Sequence, residues 1–242
     1  MIREPDQPAT GPPRFVVLFD IDGTLVTGPP RGPSAGLLAM NRAAELLTGV
    51  DDTGDPKEFA GRTDTQIARM LLQIAGEPDP PAERVGLLVN HYVEGLAELV
   101  EQAPYSPIGD PSAAVRELAA GGGIVGLGTG NVRSGADIKL TNAGIRNLFD
   151  LDRGGFGDDG KSRAAVLRVG VHRCDPTGEL PVLIVGDTPR DVTAALEIGA
   201  LCVGTPYRRN TADILGTAGA HAVVDEVGPE LARVVLSLVD AI

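Results

Sequence analysis

The chain has 242 residues and a formal net charge of −12, with 43% hydrophobic and 22% charged residues. That mixture is ordinary for a soluble globular protein and excludes a wholly disordered chain. The excess of 33 acidic over 21 basic residues argues against nucleic acid or an anionic membrane as partner, and no apolar run approaches the roughly 20 residues that cross a bilayer.

The first stretch, MIREPDQPATGPP (1–13), reads as a flexible arm. It lacks the basic start and apolar run of a signal peptide. FVVLF (15–19) is a continuous apolar run of aromatic and β-branched residues, which predicts a strand buried on both faces. It runs into DIDGTL and then the Pro/Gly break TGPPRGP. Helical spacing follows from Ser34 to a stop at Gly49, over 63–76 with Thr63 as N-cap, and over about 81–101. DDTGDPKEFAGRTD, between the first two of these, reads as a polar loop. No strand is expected between about 32 and 103.

APYSPIGDPS (103–112), with three prolines, marks a second break, and beyond it strands and helices alternate. Helices are expected at 112–120, 133–143, 162–173, 190–199 and 211–218. Strands are expected at 123–129, 147–152 (NLFDLD), 181–187, 201–205 and 221–225. This alternation predicts an α/β fold, a Rossmann-like parallel sheet covered by helices on both faces. The core then comprises 14–27 plus 110–242, and a helical cap, 28–109, is inserted after the first strand.

Open parallel sheets bind ligands beyond the carboxyl ends of their strands. Asp20-Ile21-Asp22-Gly23-Thr24 follows the first buried run, Thr129-Gly130-Asn131 the second, and Asp187 to Asp191 the third. Singly, each reads equally as turn or cap chemistry, with Asp187 or Thr129 as a helix N-cap. Together they bring four aspartates to one sheet edge, with Arg190 as the only local cation. Such carboxylates repel one another unless a divalent cation sits among them. Hard oxygen ligands with room for water and phosphate suit Mg²⁺. Cys174 and Cys202 are too few for a disulfide framework or a zinc site, and Cys202 reads as a buried apolar residue. A reducing cytoplasm fits both.

FDIDGTL, LGTGN and IVGDTPRDV resemble motifs I, II and IV of the haloacid dehalogenase-like (HAD) hydrolase superfamily. GFGDDGKSRAAVL (155–167) and GRTD (61–64) resemble its capped, phosphoglycolate-phosphatase-like branch. The resemblance implies Asp20 as nucleophile and Asp22 as general acid and base. It also implies Mg²⁺ held by Asp20, Asp187 and the backbone carbonyl of Asp22, with Asp191 completing or bracing the shell. Thr129, Gly130 and Asn131 would hold phosphate. Gly23 would allow a tight turn beside it and Thr24 would stabilise that loop.

The third motif departs from the family's Lys-Pro and reads Gly160-Lys161-Ser162-Arg163. Arg163 is the preferred cation there and Lys161 the second. Lys139 reads as an exposed helix residue. Arg62 would either clamp a second anion on the substrate or hold the cap together. The function implied is a Mg²⁺-dependent phosphatase acting on a small phosphorylated metabolite. A phosphomutase of the β-phosphoglucomutase type and a non-catalytic phosphometabolite-binding module are the alternatives. Phosphonate hydrolysis would need a cap lysine, for which only Lys57 is available.

Overall fold

The computed structural model describes residues 11–51 and 54–242. The arm read at 1–13 falls, through residue 10, outside them. Phe15–Phe19 (β1) is buried at every position. Strand alternation divides it between two cores, Phe15, Val17 and Phe19 facing one and Val16 and Leu18 the other. A parallel strand sandwiched between two helix layers needs this two-sided burial.

After β1 the chain forms a short strand, Val26–Thr27 (β2), and three helices, Ala35–Thr48 (α1), Asp64–Ile74 (α2) and Ala82–Leu99 (α3). The Ser34 hydroxyl accepts from Leu37 N at 3.3 Å to open α1, and Gly49, at φ 72°, closes it. Thr63 and Gln66 form a reciprocal capping box at α2. The chain returns through Ser106–Pro107 (β3), which pairs antiparallel with β2. The helical segment therefore leaves and rejoins the sheet domain at one place, with Val26 opposite Pro107 and Thr27 opposite Ser106.

The remainder alternates in chain order: Pro111–Ala120 (α4), Gly123–Gly128 (β4), Arg133–Asn142 (α5), Gly154–Gly155 (β5), Arg163–Cys174 (α6), Val182–Gly186 (β6), Pro189–Glu197 (α7), Leu201–Gly204 (β7), Ala212–Thr217 (α8), Ala222–Val223 (β8) and Pro229–Asp240 (α9). Six strands make one parallel sheet in the order β5-β4-β1-β6-β7-β8. Helices α6, α7 and α8 bury Leu167, Val192 and Leu215 against the Val16/Leu18 face. Helices α4, α5 and α9 bury Leu118, Leu140 and Leu231 against the other. Among the described residues no helix is long and apolar enough to cross a membrane.

The strand expected at 147–152 does not form; two 3-10 turns, Arg146–Leu148 and Leu151–Arg153, take its place. Phe149 and Leu151 are buried and Asp150 and Asp152 exposed, so the period of two is real. Its cause is a turn, in which the Asp150 carboxylate accepts from Asp152 N at 3.0 Å while Phe149 packs edge-on against Phe19. The strand beside β4 is instead the glycine pair of β5. At Gly155 a Cβ would lie 2.0 Å from the carbonyl oxygen of Val166, so close helix packing selects glycine there over a strand former.

Candidate active site

The sheet order decides which polar residues meet. β1 lies between β4 and β6, and Phe19 pairs with Leu127 on one side and Val185 on the other. Asp20, the Thr129–Asn131 turn and Asp187 thus emerge side by side at the carboxyl edge. Gly23, at φ 84°, turns the chain immediately after Asp22, and a Cβ there would meet the Asp187 carboxylate at 2.4 Å.

Asp20, Asp187 and Asp191 are all buried, and they can place one carboxylate oxygen each within 4.8 Å of the others. Arg163, the first residue of α6, reaches into this group. Its Nη2 stands 2.7 Å from Asp20 Oδ1 and 2.7 Å from Asp191 Oδ1, and its Nε donates to Asp191 at 2.9 Å. The other oxygen of Asp191 accepts from Thr188 N at 3.0 Å and from the Thr188 hydroxyl at 2.6 Å. Asp191 is therefore held at both oxygens, and its capping box with Thr188 opens α7. That cap is Thr188, not Asp187. Likewise the residue before α5 is Val132, so Thr129 is not an N-cap either.

Asp187 Oδ1 is buried and has no hydrogen-bond partner. Burial raises this carboxyl well above its usual range, and the charges of Asp191, Asp20 and Asp22 add to the rise. Asp20 is pushed up to about 6, chiefly by burial, against the pull of Arg163. An overcharged carboxylate group with one orphaned oxygen fits a hard divalent cation held by Asp20 and Asp187 and braced by Asp191.

The Asp22 carboxylate belongs to a second group. It accepts from Lys139 Nζ at 2.6 Å and from Asn131 Nδ2 at 2.8 Å, and Lys139 also donates to Asn131 Oδ1 at 2.6 Å. Lys139 is only 4% exposed, which corrects its reading as a surface residue. Carboxylates Asp22 and Asp64, with the hydroxyls of Tyr105 and Tyr92, outweigh the cost of burial and hold the ammonium well above its ordinary pKa. Arg190, the one cation that the sequence places beside the carboxylates, donates to the carbonyl of Ala60 in the helical segment. Lys161 is exposed, and the cation that the structure places on Asp20 is Arg163.

Thr129 is fully buried, and its Oγ1 accepts from Asn131 N at 3.3 Å and from Asn131 Nδ2 at 2.8 Å. Thr24 is also fully buried, with its hydroxyl unpartnered, beneath the loop. The GRTD turn docks on the turn after β4, where Asp64 N donates to Gly130 O at 2.8 Å and Asp64 Oδ2 accepts from Val132 N at 2.9 Å. Burial raises Asp64 to about 6. Arg62 Nε is bonded to the Glu58 carbonyl at 2.8 Å. Between helical segment and sheet lies a cavity of about 620 Å³, onto which Asp20, Asp22, Asn131, Lys139, Arg163 and Asp187 open.

The family model of haloacid dehalogenase-like hydrolases matches residues 16–199. The chain belongs to that family. It is 28% identical over 221 residues to a phosphoglycolate phosphatase of Yersinia pseudotuberculosis, covering 86% of this chain and 88% of the relative. The phosphoglycolate phosphatase of Yersinia pestis matches to the same extent, 28% over 221 residues. Among solved structures, CbbY from Rhodobacter sphaeroides in complex with phosphate superposes with a TM-score of 0.68 at 19% identity, over 88% of this chain and 95% of that one. A phosphonoacetaldehyde hydrolase-like protein from Oleispira antarctica gives a TM-score of 0.68 at 18% identity, over 100% and 97%. At such identities the structures speak for the fold.

Two parts of this HAD-like hydrolase's cavity were not found from its sequence. One is Lys139, whose signal is its place on the buried stripe of α5 with Gly135, Ala136 and Leu140. The other is the loop after β7, where Tyr207, Arg208, Arg209 and Asn210 line the cavity and the Tyr207 hydroxyl bonds to Thr27. Its residues follow a fourth strand end, which the same edge rule covers.

Proposed function

We propose that this hydrolase is a Mg²⁺-dependent phosphatase for a small phosphorylated metabolite and that Asp20 is its nucleophile. The observation that carries the reading is the Asp20 carboxylate itself. It sits at the end of the central strand, paired with Arg163, beside the unpartnered oxygen of Asp187, and opens to the cavity. Asp22, two residues on, reaches the same cavity from the other side of the turn. Residues 28–109 act as the cap over a core of 14–27 plus 110–242, and the β2–β3 ribbon is their shared hinge.

In the first step an oxygen of Asp20 bonds to phosphorus while the ester P–O bond breaks, and the leaving alkoxide takes a proton from Asp22. In the second, water attacks phosphorus, gives its proton to Asp22 and frees Asp20 as phosphate departs. Arg163 holds Asp20 in place and Asn131 faces the transferring group. Asp20, Asp187 and the Asp22 carbonyl would hold Mg²⁺, whose charge offsets that of carboxylates and phosphate. Lys57, the cap lysine a phosphonate hydrolase would need, is 64% exposed and lies 4.0 Å from Asp55, without the desolvation that activates an amine.

The test is phosphate release from a panel of phosphorylated metabolites with Mg²⁺ or with EDTA. Release from one or a few compounds, lost in EDTA and restored by Mg²⁺, is expected. Release that EDTA leaves untouched, or none even from p-nitrophenyl phosphate, would refute the reading.

The cluster's charge makes a separate prediction. A carboxyl whose folded pKa is raised binds protons more tightly folded than unfolded, so it destabilises the fold once pH climbs past its unfolded value. Metal-free protein should therefore lose stability as pH rises from the ordinary carboxylate range through about 6, where Asp20 titrates. Asp187→Asn should raise Tm in EDTA at pH 7.5 by ~2–4 °C, equivalent to about 1 kcal/mol. It should also abolish the upward shift that Mg²⁺ gives wild type. A lower Tm for the variant in EDTA would contradict the charge argument.

A further inference from the structure

Lys139 is a buried ammonium, which costs folding free energy unless every partner compensates. Two of its three donors are directed, one to Asp22 Oδ2 and one to Asn131 Oδ1, and the Nζ lies 5.5 Å from the centre of the Tyr105 ring. Donation into Asn131 Oδ1 fixes that amide's orientation, because the opposite flip would set an NH₂ against the ammonium. The fixed Nδ2 then donates to Asp22 Oδ2 at 2.8 Å and to Thr129 Oγ1 at 2.8 Å. Both bonds to Asp22 fall on the same oxygen, Oδ2. Its side chain remains 45% exposed, at the cavity.

We propose that Lys139 is a positioning residue that pins Asp22 through Oδ2, so that Oδ1 is the oxygen presented to the leaving group. The same ammonium sets the Asn131 amide, so one side chain aligns the acid/base group and the phosphate loop together. The inference rests on the reading of Asp22 as acid and base. Lys139 sits where the cap begins and ends, since the Tyr105 hydroxyl under it accepts from Gly36 N at 3.0 Å, in the first turn of α1.

The experiment compares p-nitrophenyl phosphate with phenyl phosphate, whose leaving group needs a proton far more. Variants are Lys139→Met, Asp22→Asn and the pair together. For Lys139→Met, kcat on phenyl phosphate should fall about 10²-fold, the scale of a displaced general acid, and on p-nitrophenyl phosphate less than ~5-fold. In the Asp22→Asn background the second substitution should change kcat on phenyl phosphate by less than ~2-fold, since the group through which it acts is gone. Should Lys139→Met fail to fold, Lys139→Gln keeps a donor to Asn131 and carries the same comparison. Equal losses on both substrates, or losses that multiply in the double variant, would show a merely structural lysine and overturn the proposal. If Asp22→Asn itself leaves phenyl phosphate hydrolysis intact, the acid/base reading and the proposal fall together. If that loss is seen and Lys139→Met alone is silent, only the proposal falls.

Discussion

Asp20→Asn should leave a folded protein with essentially no phosphatase activity. The amide matches the carboxylate in shape and still accepts from Arg163, so the packing of β1 against β4 and β6 survives. What it loses is the negative oxygen that, in the proposed mechanism, bonds to phosphorus. Nucleophile removal in enzymes of this kind costs orders of magnitude, and kcat on p-nitrophenyl phosphate should drop at least ~10⁴-fold. Retained structure is part of the expectation. One charge leaves a group in which burial, Asp191 and Asp22 already push Asp20 up to about 6. The Tm in EDTA at pH 7.5 should therefore hold or rise. A variant within tenfold of wild-type activity would mean that another residue attacks phosphorus.

Arg163→Met should be the most destabilising single change at the site. The guanidinium is 7% exposed and serves two buried carboxylates, Asp20 and Asp191. Removing one partner of a buried ion pair strands the other charge, at a cost of about 3–5 kcal/mol. For a domain of this size that lowers Tm by about 10 °C or more. The sign with pH is fixed. Arg163 lowers the pKa of Asp20, so its loss raises that carboxyl further. A carboxyl with a raised folded pKa is destabilising when ionised, so the Tm deficit should be large at pH 7.5 and shrink toward pH 5. Arg163→Lys keeps the charge without the planar array of donors and should fall between the two. Thermal unfolding in EDTA at the two pH values reads all three proteins. A deficit that grows on acidification would contradict the pairing.

Much of this architecture is written in short local patterns. FVVLF and VLIVG announce their buried strands because parallel strands under two helix layers need apolar residues on both faces. The turns that follow them carry the carboxylates. Thr63 and Gln66, and Thr188 and Asp191, spell out their capping boxes at the correct spacing. What the sequence hides is pairing imposed by neighbours. Gly154 and Gly155 have no strand preference, yet they form β5, where the main chain of α6 comes too close to Gly155, and the Phe156 ring too close to Gly154, for a side chain. Phe149 and Leu151 bury alternately through two tight turns, which a period of two cannot tell from a strand.

Lys139 was hidden for a different reason. Charge alone says solvent, and only its helical phase beside Ala136 and Leu140 says interior. Its partner Asp22 is 117 positions away, and nothing in the local pattern joins them. Arg163 is likewise remote in sequence from Asp20, though only 28 positions from Asp191. Arg163 and Lys139 neutralise carboxylates that the chain delivers from other strands. Arg190, next to the carboxylates in sequence, bonds to the Ala60 carbonyl in the loop before α2.

Capture of the phosphorylated enzyme tests the role of Asp20 most directly. Wild type mixed with p-nitrophenyl phosphate and Mg²⁺ is quenched with borohydride, which reduces an acyl phosphate on aspartate to homoserine, and mapped by peptide mass spectrometry. Homoserine is expected at position 20, dependent on substrate and on Mg²⁺ and absent from Asp20→Asn. Homoserine at any other aspartate, or none during steady turnover, would contradict that role.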